Sequence, residues 1–162
     1  MGLEIRAIRD INEMTESASI IRKAFETVAN EFNIKEEDVP SNPAFLTVES
    51  LIKSYKKGIE LFGVFENEEQ VGFLAVEKAD NNIFYMEKLA VLPAHRHKGF
   101  GKRIMDFVMK YVKEKGGSTV SIGLINENKV LKEWYRNYGF LETGLRIFEH
   151  LPFEVCIMQI NI

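Results

Sequence analysis

IFYMEKLAVLPAHRHKGFGKRIMDFVM, residues 83–109, changes character three times. Ile83 to Leu92 is an apolar run of strand type, stopped by Pro93. A polar, basic segment follows, Ala94-His95-Arg96-His97-Lys98, and then come Gly99 and Gly101. From there the pattern is that of an amphipathic helix. Ile104, Val108, Tyr111 and Val112 share one face; Lys102, Asp106, Lys110 and Lys113 fall on others. Strand, glycine loop and helix start, in that order, build an anion site. The first backbone N–H groups of a helix have no internal acceptor, and the helix dipole places about half a positive charge there. Glycines remove the Cβ atoms that would hold a phosphate away from those donors. Arg96, His97, Lys98, Lys102 and Arg103 add side-chain charge around the same point.

The glycine spacing fits neither the P-loop, G-x-x-x-x-G-K-[ST], nor the dinucleotide turn, G-x-G-x-x-G. Residues 96–101 spell R-x-x-G-x-G. Spacing alone leaves two readings, a phosphate loop and a plain turn. With Leu89-Ala90-Val91-Leu92-Pro93 before it and a helix after it, the loop resembles the acyl-CoA signature of the GNAT superfamily of N-acetyltransferases. A second segment matches that family, Asn128 followed by Trp134-Tyr135-Arg136-Asn137-Tyr138-Gly139-Phe140, in the pattern N-x6-Y-x3-G-F. The resemblance covers about residues 60–162; the first third of the chain matches in outline only. It implies acetyl-CoA as cosubstrate, with the pyrophosphate cradled by Arg96, His97, Lys98, Gly99, Phe100, Gly101 and Lys102. It also implies a bulge in the preceding strand, whose residues Leu89, Ala90 and Val91 would hold the pantetheine arm.

Composition narrows the classes. The chain has 162 residues, 46% apolar and 28% charged, which suits one domain with a substantial core. A net charge of −3 sets no polyanion-binding surface against the local basic cluster, so a small anion is expected and nucleic acid is not. The single cysteine, Cys156, excludes an intramolecular disulfide and lies in the apolar run Val155 to Met158, where a buried strand residue is expected. No apolar run approaches the roughly 20 residues that span a bilayer. Met1-Gly2 would suit myristoylation, but Arg6 stands where Ser or Thr is required. The reading is cytoplasmic, with no membrane partner.

Outward from the central stretch, Leu3 to Ile8 alternates as a strand. Asp10 is a helix cap with Glu13 placed to complete a capping box, and Ile20, Ala24, Phe25, Val28 and Phe32 give that helix its apolar face. Residues 33–45 are loop, and a short helix runs from the cap Thr47 to the stop Gly58. Glu60–Glu66 and Gln70–Glu77 form a hairpin ahead of the central strand. After the helix ending at Gly116-Gly117 come a strand around Val120 to Leu124, a helix to about Tyr138, and two last strands. The order β-α-α-β-β-β-α-β-α-β-β predicts a mixed, mostly antiparallel α/β (α+β) sheet of about seven strands flanked by helices.

Acetyl transfer from a thioester to an amine sets three demands. An alkylammonium of pKa near 10.4 is free base to only about one part in a few thousand at pH 7, so a base is needed. The oxyanion needs a positioned donor. The leaving thiolate gains from an acid. The resemblance assigns the donor to a backbone N–H near Leu89 and the acid to Tyr135. Tyr135 also sits at helical spacing with Leu131, Trp134 and Tyr138, where a core aromatic fits equally. Glu87, a carboxylate inside an apolar strand, is the candidate base or amine anchor. The stretch Phe84 to Val91 is similar to the equivalent strand of spermidine/spermine acetyltransferases, where a Glu at this position belongs to the acceptor site. Pairing with Lys88 on the solvent side is the other reading, and many family members deprotonate through water. Asn128 is expected on the pantetheine amides, as a helix cap, or both. His95 and His97 lack Cys, Asp or Glu partners at ligand spacing, so no metal is expected. The acceptor is an amine, with a small amine such as a polyamine, a protein N-terminus, a lysine and an antibiotic all open. Glu149 and His150 sit in a turn near the expected acceptor mouth. An acyl-CoA-binding module without turnover is the alternative of another class, and the chain is expected as monomer or homodimer.

Overall fold

The computed structural model describes residues 2–162; Met1, with which the myristoylation pattern begins, lies outside them. The alternating N-terminal residues form strand β1 (Leu3–Ala7), and Asp10 caps helix α1 (Ile11–Glu31), accepting from the Glu13 N–H at 2.8 Å. Glu13 does not return the favour to Asp10 as a full capping box would. Its carboxylate takes Arg6 Nη1 at 2.7 Å, because β1 brings that cation alongside. Thr47 caps α2 (Val48–Lys56), which ends before Gly58 at φ +95°. Then follow β2 (Glu60–Glu66), β3 (Glu69–Lys78), β4 (Ile83–Val91), α3 (Phe100–Glu114), β5 (Thr119–Ile125), α4 (Lys129–Tyr138), β6 (Leu141–Ile147) and β7 (Glu154–Asn161). The expected order is the observed one.

The strands form one sheet in the order β1-β2-β3-β4-β5-β7-β6. Its neighbours pair antiparallel except β4 and β5, which run parallel because α3 is the crossover between them. One face packs on α3 and α4. Ile104, Met105, Val108 and Val112 of α3 are completely enclosed against Leu74, Phe84, Met86, Val120 and Met158. Each such side chain contributes about 1.5–3 kcal/mol by leaving water. Cys156 is buried in the same layer, as its apolar run predicts. The other face packs on α1 and α2 through Met14, Ala18, Ile21, Ala24 and Leu51 against Leu61, Phe73, Ala75 and Ala90.

The face of α1 differs from expectation. Phe25, Val28 and Phe32 are only half-buried. The last turns of α1 leave the sheet, and Ala29 and Phe32 pack instead with Ile34, Val39, Ile125, Leu151 and Phe153 in a separate apolar cluster.

Two irregularities in β4 matter most. Against β3, Phe73 pairs with Ala90 but Ala75 pairs with Glu87, so β4 holds one extra residue, and Lys88 takes φ +53° to accommodate it. The bulge switches faces: Phe84 and Met86 meet the α3 layer before it, and Leu89 and Val91 after it. Gly72 of β3 permits the close approach, since a Cβ there would stand 2.6 Å from the Ala90 carbonyl oxygen. On the other side, β4 pairs with β5 only from Ile83–Thr119 to Tyr85–Ser121. Beyond Tyr85 the two strands separate, and β5 continues along β7.

Candidate active site

The separated strands open a wedge whose one wall is the free edge of β4 from Met86 to Val91, Leu89, Ala90 and Val91 included. Main-chain groups on that edge have no strand partner on the β5 side. The wedge leads to the glycine loop. His97 at φ +63° and Gly99 at φ +80° turn the chain into α3, and Gly99 caps the helix without a side-chain bond. The N–H groups of Phe100, Gly101 and Lys102 find no acceptor among the described residues. Space is open where a Gly99 Cβ would stand. A cradle of unpaired amides at a helix N-terminus fits a pyrophosphate. Gly101 has a second duty: a Cβ there would fall 2.8 Å from Trp134, so its absence lets α3 and α4 meet.

The side chains around the loop divide. His97 and Lys98 are exposed, and Lys98 Nζ lies 3.9 Å from Glu66. Lys102 is exposed and pairs with Asp106 at 2.9 Å, while Tyr138 donates to the other Asp106 oxygen at 2.6 Å. Phe100 is buried beneath the loop. His95 turns away to β2, with Nδ1 3.1 Å from Glu66 Oε1. Arg96 also departs from the sequence reading. Its guanidinium points into the protein: Nε donates to the Val91 carbonyl at 3.0 Å, Nη1 to Thr27 Oγ1 at 3.1 Å and Nη2 to the Ala24 carbonyl at 2.8 Å. Its charge is therefore engaged within the fold and is not presented to the loop's anion cradle.

Asn128 stands at the far wall of the wedge, after the end of β5. Its Oδ1 accepts from the Leu131 N–H at 3.2 Å, the expected cap, and its Nδ2 makes no hydrogen bond to the described residues. Tyr135 is buried between Trp134 and Phe140, with edge-to-face ring contacts of 5.2 and 5.3 Å. Its hydroxyl has no protein partner among the described residues, yet no enclosed side-chain oxygen there is left unsatisfied, so the hydroxyl opens on a surface. Burial pushes the phenol well above its ordinary pKa and keeps it protonated. It is a hydrogen-bond donor at any working pH.

Glu87 stands at the bulge, beside Lys88, on the α1 side of the sheet. Desolvation first, and a hydrogen bond with Glu77 of β3 second, push its carboxyl up to about 7. Lys88 opposes this, but its Nζ lies 3.4 Å away and does not cancel it. Sequence reasoning missed Glu77. It lies opposite Tyr85 and diagonal to Glu87, a relation set by the register across the hairpin.

Beyond the end of β5 lies a cavity of about 660 Å³. Phe32, Ile34, Val39, Leu151 and Phe153 supply apolar walls, with Glu31, Asp38, Glu127 and Glu149 against Lys35 and His150 as polar groups. Glu149 and His150 are thus brought to the cavity. Among the described residues no group of three or more His, Cys, Asp or Glu side chains is placed to hold a metal, and no helix is long and apolar enough to cross a membrane.

A bulged strand splayed from its parallel neighbour over an amide cradle is the architecture of an acyl-CoA-dependent acyltransferase. The chain belongs to the GNAT family of acetyltransferases: that family's model matches residues 23–140. It is 33% identical over 75 residues to streptothricin acetyltransferase of Streptomyces lavendulae, a stretch that spans 46% of this chain and 40% of that protein. The fold matches PaiA N-acetyltransferase of Thermoplasma acidophilum in complex with coenzyme A, with a TM-score of 0.78 and 20% identity over the whole of both chains. It also matches a GNAT family acetyltransferase of Elizabethkingia anophelis with acetyl-CoA bound, with a TM-score of 0.67 and 17% identity over 99% of this chain and 98% of the other.

Proposed function

We propose that the protein transfers the acetyl group of acetyl-CoA to a small, cationic primary amine by direct attack within a ternary complex. The observation that carries this reading is the wedge, a free β4 edge leading to three unpaired amides at the start of α3. In it, the amides of residues 100–102 bind pyrophosphate, helped by Lys98 and Lys102, and the edge of β4 holds the pantetheine arm. Asn128 Nδ2 is the free donor on the opposite wall for a pantetheine carbonyl. Acetyl-CoA supplies an activated thioester.

The protein's own groups meet the remaining demands. A backbone N–H of β4 at about Leu89 donates to the oxygen on which charge develops, in place before reaction and so without reorganisation. Glu87, raised to about 7, is matched to accept a proton from the amine near neutral pH. Tyr135 donates a hydrogen bond to the departing sulfur. Full proton transfer from so weak an acid to a thiolate of pKa about 8.5 runs uphill, so stabilisation of the thiolate is its task.

The lining of the cavity supports this acceptor class. Four carboxylates against one lysine and one histidine favour a cation, and the Phe32 and Phe153 walls favour an alkyl or aromatic body. A polyamine or an amine-bearing antibiotic has this chemistry. The test is acetyl-CoA thioester consumption with a panel of polyamines, aminoglycoside-type amines, neutral amino-acid amides and peptides. Turnover confined to cationic small amines supports the assignment. Turnover only with peptides, or none with any member while acetyl-CoA binds, contradicts it.

A further inference from the structure

Arg96 stands in the loop but faces α1: one of its three hydrogen bonds holds the end of β4, and the other two reach α1, the helix whose end lines the cavity. We infer that Arg96 is a positioning residue that couples the acetyl-CoA loop to the acceptor cavity through helix α1. The inference rests on reading residues 96–101 as the acetyl-CoA loop.

The route is short and continuous. Arg96 Nε fixes the end of β4 at the Val91 carbonyl, where the wedge meets the loop. Nη1 and Nη2 grip α1 at Thr27 Oγ1 and the Ala24 carbonyl, and Thr27 Oγ1 itself donates to Ala24 at 3.1 Å. From Ala24 to Glu31, at the end of α1, is roughly 10 Å at 1.5 Å per residue. Within that distance Ala29 packs on Ile34 and Val39, and Glu31, Phe32, Ile34 and Val39 all line the cavity. A rigid helix turn thus carries the position of the loop to the cavity wall. No lysine reproduces this: an ammonium is a compact point charge, whereas the planar guanidinium reaches three acceptors in fixed directions.

Such a coupling predicts that ordering the loop with ligand also steadies residues 28–39, although no pyrophosphate reaches them. The test is amide hydrogen exchange on the full chain, with and without coenzyme A as the only probe. In the wild-type protein coenzyme A slows exchange both at residues 96–103 and at 28–39. In Arg96→Ala the slowing persists at 96–103 and is lost at 28–39; Arg96→Lys fails to restore it, and Thr27→Val, which removes one bond of the three, weakens it. Slowing at 28–39 that survives Arg96→Ala, or that is absent in the wild type while 96–103 responds, overturns the coupling. No response at 96–103 in the wild type instead overturns the reading of the loop. Should Arg96→Ala fail to fold, Thr27→Val decides alone: an undiminished response at 28–39 contradicts the inference.

Discussion

The two halves of the site are built from different materials. The half proposed for acetyl-CoA is made of backbone: the free edge of β4, the amides at the start of α3, and glycines that keep Cβ atoms out of the way. The cavity proposed for the acceptor is made of side chains drawn from four separate places, the end of α1, residues 33–39, the end of β5 and the turn between β6 and β7. A backbone site tolerates change in most side chains and recurs wherever strand, glycine loop and helix recur. A side-chain site changes with each substitution. The same frame therefore serves many acceptors, and this chain shares its fold with proteins only 17–20% identical to it.

The sharpest way to break this division is Glu87→Gln, at the bulge of β4. Turnover at pH 7 falls by about a hundredfold or more, the scale of a lost general base, while the Kd for acetyl-CoA stays put. The same variant gains stability. Glu87 has its pKa raised from an ordinary 4.5 to about 7, so the folded protein keeps a proton the unfolded chain releases. The stabilisation is complete below about 4.5 and lost as pH rises through about 7. Glutamine removes the cost of the buried charge, so the variant's Tm exceeds the wild-type value at pH 8 and the gap closes toward pH 4. Equal turnover in the two proteins would assign deprotonation to water.

Tyr135→Phe comes next. It removes one hydrogen bond to sulfur and lowers kcat by about tenfold or more, again with acetyl-CoA affinity intact; a fall in affinity without a fall in kcat would make the residue a packing aromatic. Glu149→Gln acts on the acceptor half alone and raises KM for a cationic amine severalfold without changing acetyl-CoA binding. A change in both constants would show that the halves are not separable there. Smallest is Glu77→Gln, which removes a group that raises Glu87. The acid limb of the kcat/KM profile, set near pH 7 by Glu87, moves to lower pH, and kcat at pH 8 is little altered. An unmoved limb would remove Glu77 from the account.

Legibility in the sequence followed the same division. The order of strands and helices, the caps Asp10, Thr47 and Asn128, and the position of the glycine loop are local features, and local features write themselves into spacing and residue type. Arg96 was misplaced because a basic residue beside a phosphate loop gives no hint of direction, and Ala24 and Thr27 lie some seventy positions earlier. Glu77 was invisible because its contact depends on the register of β3 against β4, which residue types on either strand do not spell out. The face of α1 was read too far toward its C-terminus, since the pattern that buries Met14, Ala18 and Ile21 also covers Phe32, which leaves the sheet for the cavity wall. The charged lining of that cavity, from Glu31 to Glu149, carries no motif at all.

The most direct test of the central claim is a calorimetric titration of the protein with acetyl-CoA, with ATP as the control polyphosphate. Saturable acetyl-CoA binding is expected with a Kd in the range of roughly 1–100 μM, about −8 to −5.5 kcal/mol, with no comparable heat from ATP. Equal binding of both ligands would reduce the loop to a general anion site, and no binding of acetyl-CoA would leave the glycine loop a structural turn.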